Sequence, residues 1–248
     1  MLDYDTTLSF PFQTSIQGLI PSPTHNLVAK RICSDIEQRV GNNGTVLIVG
    51  CGNGGEGLSG FSDEFLQQNV IGTDIRGTEF TNFLGDIHNL PVPNGGVDAV
   101  VCQAVLEHIE QIDLAISELK RITKPSGYVY IDVPFLQGYH ALPTDFRRFT
   151  SNGLQNKICT NDDFNTINCG ASKGPTSTLI WICCEYLAYL LSFGNSNIRK
   201  ILSVALRIPT FWLKYVDLVL KKSHGLEDAA MALPSAVYWY GKKESPGQ

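Results

Sequence analysis

Four chemically able side chains fall within nine residues of one another: His140, Asp145, Arg147 and Arg148, inside the stretch Pro134 to Thr150. Neutral imidazole accepts a proton near pH 7, so His140 is the candidate general base for a hydroxyl acceptor, with Asp145 orienting it or binding the acceptor directly. Guanidinium matches phosphate or carboxylate through two parallel hydrogen bonds, which makes Arg147 and Arg148 candidate grips on an anionic acceptor. An ion pair from Asp145 that merely fixes the loop accounts for Arg148 equally well. Tyr139 reads either as an acceptor contact or as a core aromatic with its hydroxyl at the surface. Upstream, Glu107 and His108 open a helix, where the dipole favours an acid. His108 either reaches the acceptor or orients the loop through a backbone hydrogen bond.

Such groups need a reagent beside them, and Val46-Leu47-Ile48-Val49-Gly50-Cys51-Gly52-Asn53-Gly54-Gly55 offers a place for one. The aliphatic run suits a strand covered on both faces, and the glycines let the backbone turn sharply and come close to a ligand. Gly50, Gly52 and Gly55 satisfy G-x-G-x-x-G, so the loop alone leaves both a nicotinamide cofactor and S-adenosylmethionine open. A second strand, Val70 to Ile75, carries Asp74, 24 residues beyond Gly50. An acid at this position accepts hydrogen bonds from ribose hydroxyls.

Downstream, Asn82 to Leu84 leads into Gly85-Asp86-Ile87, and Asp98 to Gln103 leads into Ala104-Val105-Leu106-Glu107-His108. Leu119 to Ile122 then precedes Thr123-Lys124-Pro125-Ser126-Gly127 and an apolar fifth strand. This succession resembles the class I S-adenosylmethionine-dependent methyltransferases over roughly residues 25 to 150. The resemblance implies an α/β, Rossmann-like fold: a seven-stranded, mostly parallel sheet with an antiparallel last strand and helices on both faces. It implies S-adenosylmethionine as cofactor, with Gly50, Cys51, Gly52 and Asn53 along its methionine portion. Asp74, with Ile75 beside it, would hold the ribose; Asp86 and Ile87 would flank the adenine, and Gln103 would face the cofactor from strand four. The chain departs from the family at Ile48, where many relatives carry an acid. The segment from His140 to Thr150 resembles an H-x-x-P-x-D-x-x-R-F-T signature of methyltransferases linked with cell-surface saccharide assembly, implying a hydroxyl of a glycan or lipid-linked saccharide as acceptor. Two rivals stand beside this reading: an NAD(P)-dependent Rossmann oxidoreductase, and a non-catalytic, membrane-attached binding protein that keeps the fold.

At 248 residues and 43% hydrophobic composition the chain can bury a substantial core, and alternating strand and helix patterns between residues 25 and 135 indicate βαβ units. The expectation is one domain over residues 1–248, with a cofactor-binding core at 24–150 and a helical insertion at 176–222. A net charge of −5 argues against general nucleic-acid binding. Seven cysteines without C-x-x-C spacing read as reduced core residues, and Cys51 as filler rather than nucleophile. No metal-ligand cluster is legible among the five histidines. Met1 to Asp5 lacks the basic and apolar regions of a signal peptide, so the expectation is cytosolic residence.

The strands Asp163 to Cys169 and Ala236 to Lys242 are separated by roughly 65 residues, against about 2 to 5 in an ordinary hairpin. Leu179 to Phe193 is apolar almost all round yet, as a helix, too short for a ~30 Å hydrocarbon core. Beyond it, Lys200, Ser203, Arg207, Thr210, Lys214, Asp217 and Lys221 recur at steps of three and four, which predicts a narrow polar stripe on one helix that Pro209 kinks or divides. Residues 198 to 222 hold six basic side chains against Asp217 alone. A basic stripe beside an apolar, aromatic-bearing face suits a helix lying on the inner membrane leaflet; packing on the core or on a second subunit is the competing reading.

Overall fold

The computed structural model describes residues 26, 28–52, 57–140, 144–160, 163–217, 219–220 and 232–245. Met1 to Asp5, Asn53, Gly55, Pro143, Lys221, His25 and His224 lie outside the described residues. Seven strands form one sheet in the order β3-β2-β1-β4-β5-β7-β6. They are β1 (Val46–Val49), β2 (Val70–Asp74), β3 (Phe83–Leu84), β4 (Val97–Gln103), β5 (Thr123–Pro134), β6 (Phe164–Lys173) and β7 (Ala236–Lys243). The first five pair in parallel with one another, with Val46 opposite both Val70 and Ala99. Strand β7 runs antiparallel between β5 and β6. The sheet class is as the sequence implies, but the last strand inserts inside the sheet and leaves β6 at the edge.

All four residues of β1 are buried, as are Val100, Val101 and Cys102 in β4. Burial at successive positions means that both faces of these strands are covered, which is why they read as unbroken apolar runs. One face packs on α3 (Ile112–Ile122) and α4 (Ser151–Ile158): Leu47, Val49, Val100, Val129 and Ile131 share a core with Ala115, Ile116, Leu119, Leu154 and Ile158. Helix α1 (Ala29–Val40) buries Ile32, Cys33 and Ile36, and the short α2 (Asp63–Asn69) buries Phe65. Parallel pairing brings the carboxyl ends of β1, β2 and β4 to one edge, and with them Gly50, Asp74 and Gln103. An open α/β sheet binds its ligands at that edge.

The chain divides into two compact units: one comprises Val28–Phe135, Tyr139–Gly170 and the segment from Val237, the other holds Ala171–Ala236 among its segments. The second unit contains α5 (Pro175–Leu191), α6 (Ser196–Arg207) and a 3₁₀ stretch, Ile208–Tyr215. Gly174, at the N-cap of α5, has no side chain with which to cap it. Asp217 does so from 41 residues downstream: its Oδ1 accepts the Thr176 N–H at 2.9 Å and its Oδ2 accepts the Ser177 N–H at 3.2 Å. A Cβ on Gly174 would stand 2.3 Å from Asp217 Cγ, so the glycine makes room for the carboxylate.

The helix is divided near Pro209, as expected, but the polar stripe is corrected: α6 ends at Arg207 and the chain tightens to 3₁₀ winding, whose three residues per turn break the phase of the stripe. The stripe does not uniformly face outward either. Ser203 and Arg207 both donate to Glu185 of α5, Arg207 lies over the Trp181 ring, and Asp217 is buried. The outward surface of α6 is instead mixed, with Ile201 68% and Val204 41% exposed beside exposed Arg199 and Lys200. Among the described residues no helix is long and apolar enough to cross a membrane. All seven cysteines are free; Cys33, Cys51, Cys102 and Cys184 are buried as expected, whereas Cys183 is exposed on α5.

Candidate active site

The turn after β1 is built by glycines with positive φ: Gly50 at 74° and Gly52 at 56°. At Gly50 a Cβ would come within 2.2 Å of Val105 Cγ2, so the position rejects side chains on both conformational and steric grounds. Gly50 N–H donates to Thr73 O at 2.8 Å, and Gly52 N–H donates to Asp74 Oδ2 at 2.9 Å. The other Asp74 oxygen accepts the Arg76 N–H at 3.0 Å. The carboxylate at the head of β2 thus clamps the glycine turn. Cys51 is buried, donates through Sγ to Phe80 O at 3.3 Å, and has its thiol pKa pushed up by burial. Those are the properties of a packing residue.

Asp86 accepts the His88 backbone N–H at 2.9 Å and pairs with His88 Nδ1 at 2.6 Å; these contacts, the backbone one foremost, hold its carboxyl below the usual range. Ile87 is 3% exposed and belongs to the core, so a ligand at this point meets backbone more than side chain. Ile75 is 60% exposed, and so, at 62%, is Leu84, paired in register with Asp74. Leu84 was not singled out by sequence reasoning; its exposure in an otherwise apolar strand is the signal, and it is visible only in the fold. Gln103, at the end of β4, has a buried Nε2 without a hydrogen-bond partner among the described residues. The next residue, Ala104, holds a φ of 54°, strained for a side chain with a Cβ. An orphaned buried donor beside the glycine turn is fitted by a bound cofactor.

Beyond β4 a single 3₁₀ turn, Leu106–His108, presents the acceptor end. Glu107 is fully buried, and among the described residues neither carboxylate oxygen has a hydrogen-bond partner. Its Oε1 lies 3.7 Å from His108 Nε2 and 3.7 Å from His140 Nε2. The two imidazoles meet edge to face, centroids 5.5 Å apart. The loop carrying His140 is laced to this turn: His108 Nδ1 bonds Thr144 O, Phe146 N–H donates to Glu107 O at 2.8 Å, and Arg147 Nη2 donates to Glu110 O at 2.7 Å.

Asp145 anchors the other side. It forms a two-pronged pair with Arg148, one prong at 2.7 Å, and accepts the His140 backbone N–H at 2.8 Å. The Arg148 hydrogen bonds pull its carboxyl down to about 2. Asp145 therefore places His140 chiefly through the backbone, its oxygen being 3.9 Å from the ring Nδ1. Arg148 Nη2 stands 3.3 Å from that same nitrogen. Of the two readings for Arg148, the loop-fixing ion pair is formed. Tyr139 is 78% exposed and not a core aromatic. Glu107 is the residue whose part sequence reasoning missed: read as a helix-start acid, it is the group on which both histidines converge.

A model of the methyltransferase domain family matches residues 47–131. A segment of 46 residues is 48% identical to an uncharacterized methyltransferase of Schizosaccharomyces pombe, covering 18% of this chain and 16% of that protein. Another of 51 residues is 35% identical to an uncharacterized 37.1 kDa protein in a transposon of Streptomyces fradiae, covering 21% and 15%. The matched segments thus span about a sixth of the length of these relatives. The fold is similar to a putative methyltransferase structure in complex with the Haloferax volcanii Trm112 methyltransferase activator, at 15% identity, TM-score 0.53, and 89% and 90% of the two chains. It is also similar to the [4+2]-cyclase SpnF, at 15% identity, TM-score 0.52, and 87% and 81% coverage. Residues 47–131 thus match a methyltransferase domain, and the fold is similar to those of the putative methyltransferase and the cyclase.

Proposed function

We propose that this protein transfers a methyl group from S-adenosylmethionine to a hydroxyl of a glycan or lipid-linked saccharide. The observation that carries the reading is the meeting, at the sheet's carboxyl edge, of a glycine turn clamped by Asp74, an unpaired Gln103 amide and, four residues on, the Glu107 turn that faces His140. Gly50, Cys51, Gly52 and Asn53 would hold the cofactor's methionine portion, Asp74 and Ile75 its ribose, Asp86 and Ile87 its adenine, with Gln103 facing it. When bound, the cofactor supplies an electrophilic methyl whose departure leaves a neutral thioether, so no acid is needed for the leaving group.

The protein must then hold the acceptor oxygen in line and take its proton. His140 suits proton removal, because with 36% of its side chain exposed, against 14% for His108, it is the imidazole an acceptor reaches first. Tyr139 and Arg147 flank the loop as acceptor contacts. Incubating soluble and membrane extracts with methyl-labelled S-adenosylmethionine and the protein, then weighing the labelled product, tests the proposal. A methylated saccharide is expected; tight NAD binding with no binding of S-adenosylmethionine would overturn it, and cofactor binding without transfer would favour a binding protein.

A peripheral membrane contact is part of the same reading, favoured by the exposed apolar surface of the second unit: Leu179 62%, Tyr189 63%, Phe193 94% and Ile201 68%. Here the apolar side chains, rather than a lysine stripe, would make the contact. The full chain is expected to float with anionic liposomes and a Phe193→Ser/Ile201→Ser variant to remain in the soluble fraction. Equal recovery of both in the soluble fraction would leave packing on another protein as the use of this surface.

A further inference from the structure

We infer that Glu107, His108 and His140 form a site for one divalent first-row transition-metal ion, of the zinc, manganese or cobalt type, at the acceptor end of the pocket. One donor atom from each residue lies within 4.8 Å of the other two. The glutamate oxygen is 3.7 Å from each imidazole Nε2, too far for a hydrogen bond. Donors bound tetrahedrally at about 2.1 Å from a metal stand roughly 3.4 Å apart, so the two glutamate–imidazole spacings are close to those of ligands around an ion.

The second, independent observation is the state of Glu107 itself. Its side chain is 1% exposed and neither oxygen is hydrogen-bonded among the described residues. A carboxylate taken out of water without hydrogen bonds is strongly unfavourable unless a cation compensates it; the two histidine nitrogens lie nearest, and the Arg148 guanidinium, already paired with Asp145, adds a longer-range attraction. The surroundings of the rings fit as well. His108 gives its Nδ1–H to the Thr144 carbonyl, which fixes the tautomer that leaves Nε2 with a free lone pair. Binding through Nε2 puts the His140 proton on Nδ1, so that nitrogen gives up the Arg148 Nη2 contact at 3.3 Å and turns toward Asp145 Oδ2, 3.9 Å away, giving the imidazole–carboxylate pairing that orients metal-bound histidines.

Two imidazoles and one carboxylate favour a borderline transition metal over calcium or magnesium, which prefer all-oxygen sites. Three protein ligands leave at least one position open. In its functional meaning the inference rests on the methyltransferase reading: an acceptor hydroxyl at the open position would lose its proton to water, and His140 would serve as ligand instead of base.

The test uses the full chain stripped with chelator and titrated calorimetrically with zinc and manganese, and with cobalt followed by visible absorption. One equivalent bound at micromolar affinity or better is expected, with at least a thirtyfold loss in Glu107→Gln and in His140→Asn. S-adenosylhomocysteine affinity, measured on the same samples, should stay within twofold, and failure of that binding in the unaltered chain would refute the methyltransferase reading while leaving the metal result intact. Should Glu107→Gln lose its fold by circular dichroism, His140→Asn decides. Absence of saturable binding, or binding that folded variants retain, would overturn the inference.

Discussion

Asp145 and Arg148 face each other three residues apart in a two-pronged ion pair, and the same carboxylate receives the backbone N–H of His140. One side chain thereby sets the position of the imidazole that faces Glu107. Its carboxyl is held at about 2, below its ordinary 3.8, chiefly by Arg148. A depressed carboxyl stabilises the fold above its unfolded-state value and loses that contribution as pH falls through the folded one. Asp145→Asn is therefore expected to cost on the order of 1–2 kcal/mol at pH 7. The deficit should shrink between pH 4 and pH 2. Urea denaturation of both proteins across that range is the measurement; a deficit that stays constant as pH falls would show that the ion pair is not its source.

Gly50→Ala places a methyl where Val105 already stands and where φ is 74°. At least a tenfold loss of S-adenosylhomocysteine affinity is expected, together with a lower melting temperature. Calorimetric titration and thermal denaturation read the two effects separately, and unchanged affinity in a folded variant would remove the turn from the cofactor site.

Asp74→Ala removes both the clamp on Gly52 and the proposed ribose contact. Affinity for S-adenosylhomocysteine should fall at least tenfold, whereas Asp74→Glu, which keeps the charge, should recover part of it. If Asp74→Ala binds as tightly as the unaltered chain, the aspartate is only a cap for its own loop.

Asp217→Ala leaves the Thr176 and Ser177 N–H groups at the head of α5 without an acceptor. Loss of a helix cap costs about 1 kcal/mol, and more where the donors are buried, so roughly 1–3 kcal/mol is expected. Hydrogen exchange should show the loss as faster exchange in the first turn of α5, with little change in β1 or β4.

The sheet was legible because its central strands are covered on both faces, which forces continuous aliphatic runs such as Val46 to Val49, and because each run ends in residues with a local role, Gly50 and Asp74 among them. The acceptor end was only half legible. His140, Asp145 and Arg148 lie close in sequence, and their pairing follows from reach alone, but Glu107 meets His140 across 33 residues through a loop path that periodicity does not encode. The break at Pro209 is legible, but the 3₁₀ winding beyond it is not, because a period of three or four residues fits both helix types over short stretches. The capping role of Asp217 was hidden for the reason Glu107 was: its partners are 41 and 40 residues away.

The Ser235 N–H donates to Lys173 O at 3.2 Å, and Thr178 Oγ1 donates to Leu233 O at 2.8 Å. The excursion between β6 and β7 consequently leaves and returns at a single doorway. Closing a longer loop over a fixed gap adds only about 0.6 kcal/mol for each doubling of its length. Evolution can therefore lengthen, trim or replace this appendage at small thermodynamic expense, making it the part of the molecule best suited to acquiring a new docking address while the chemistry stays put.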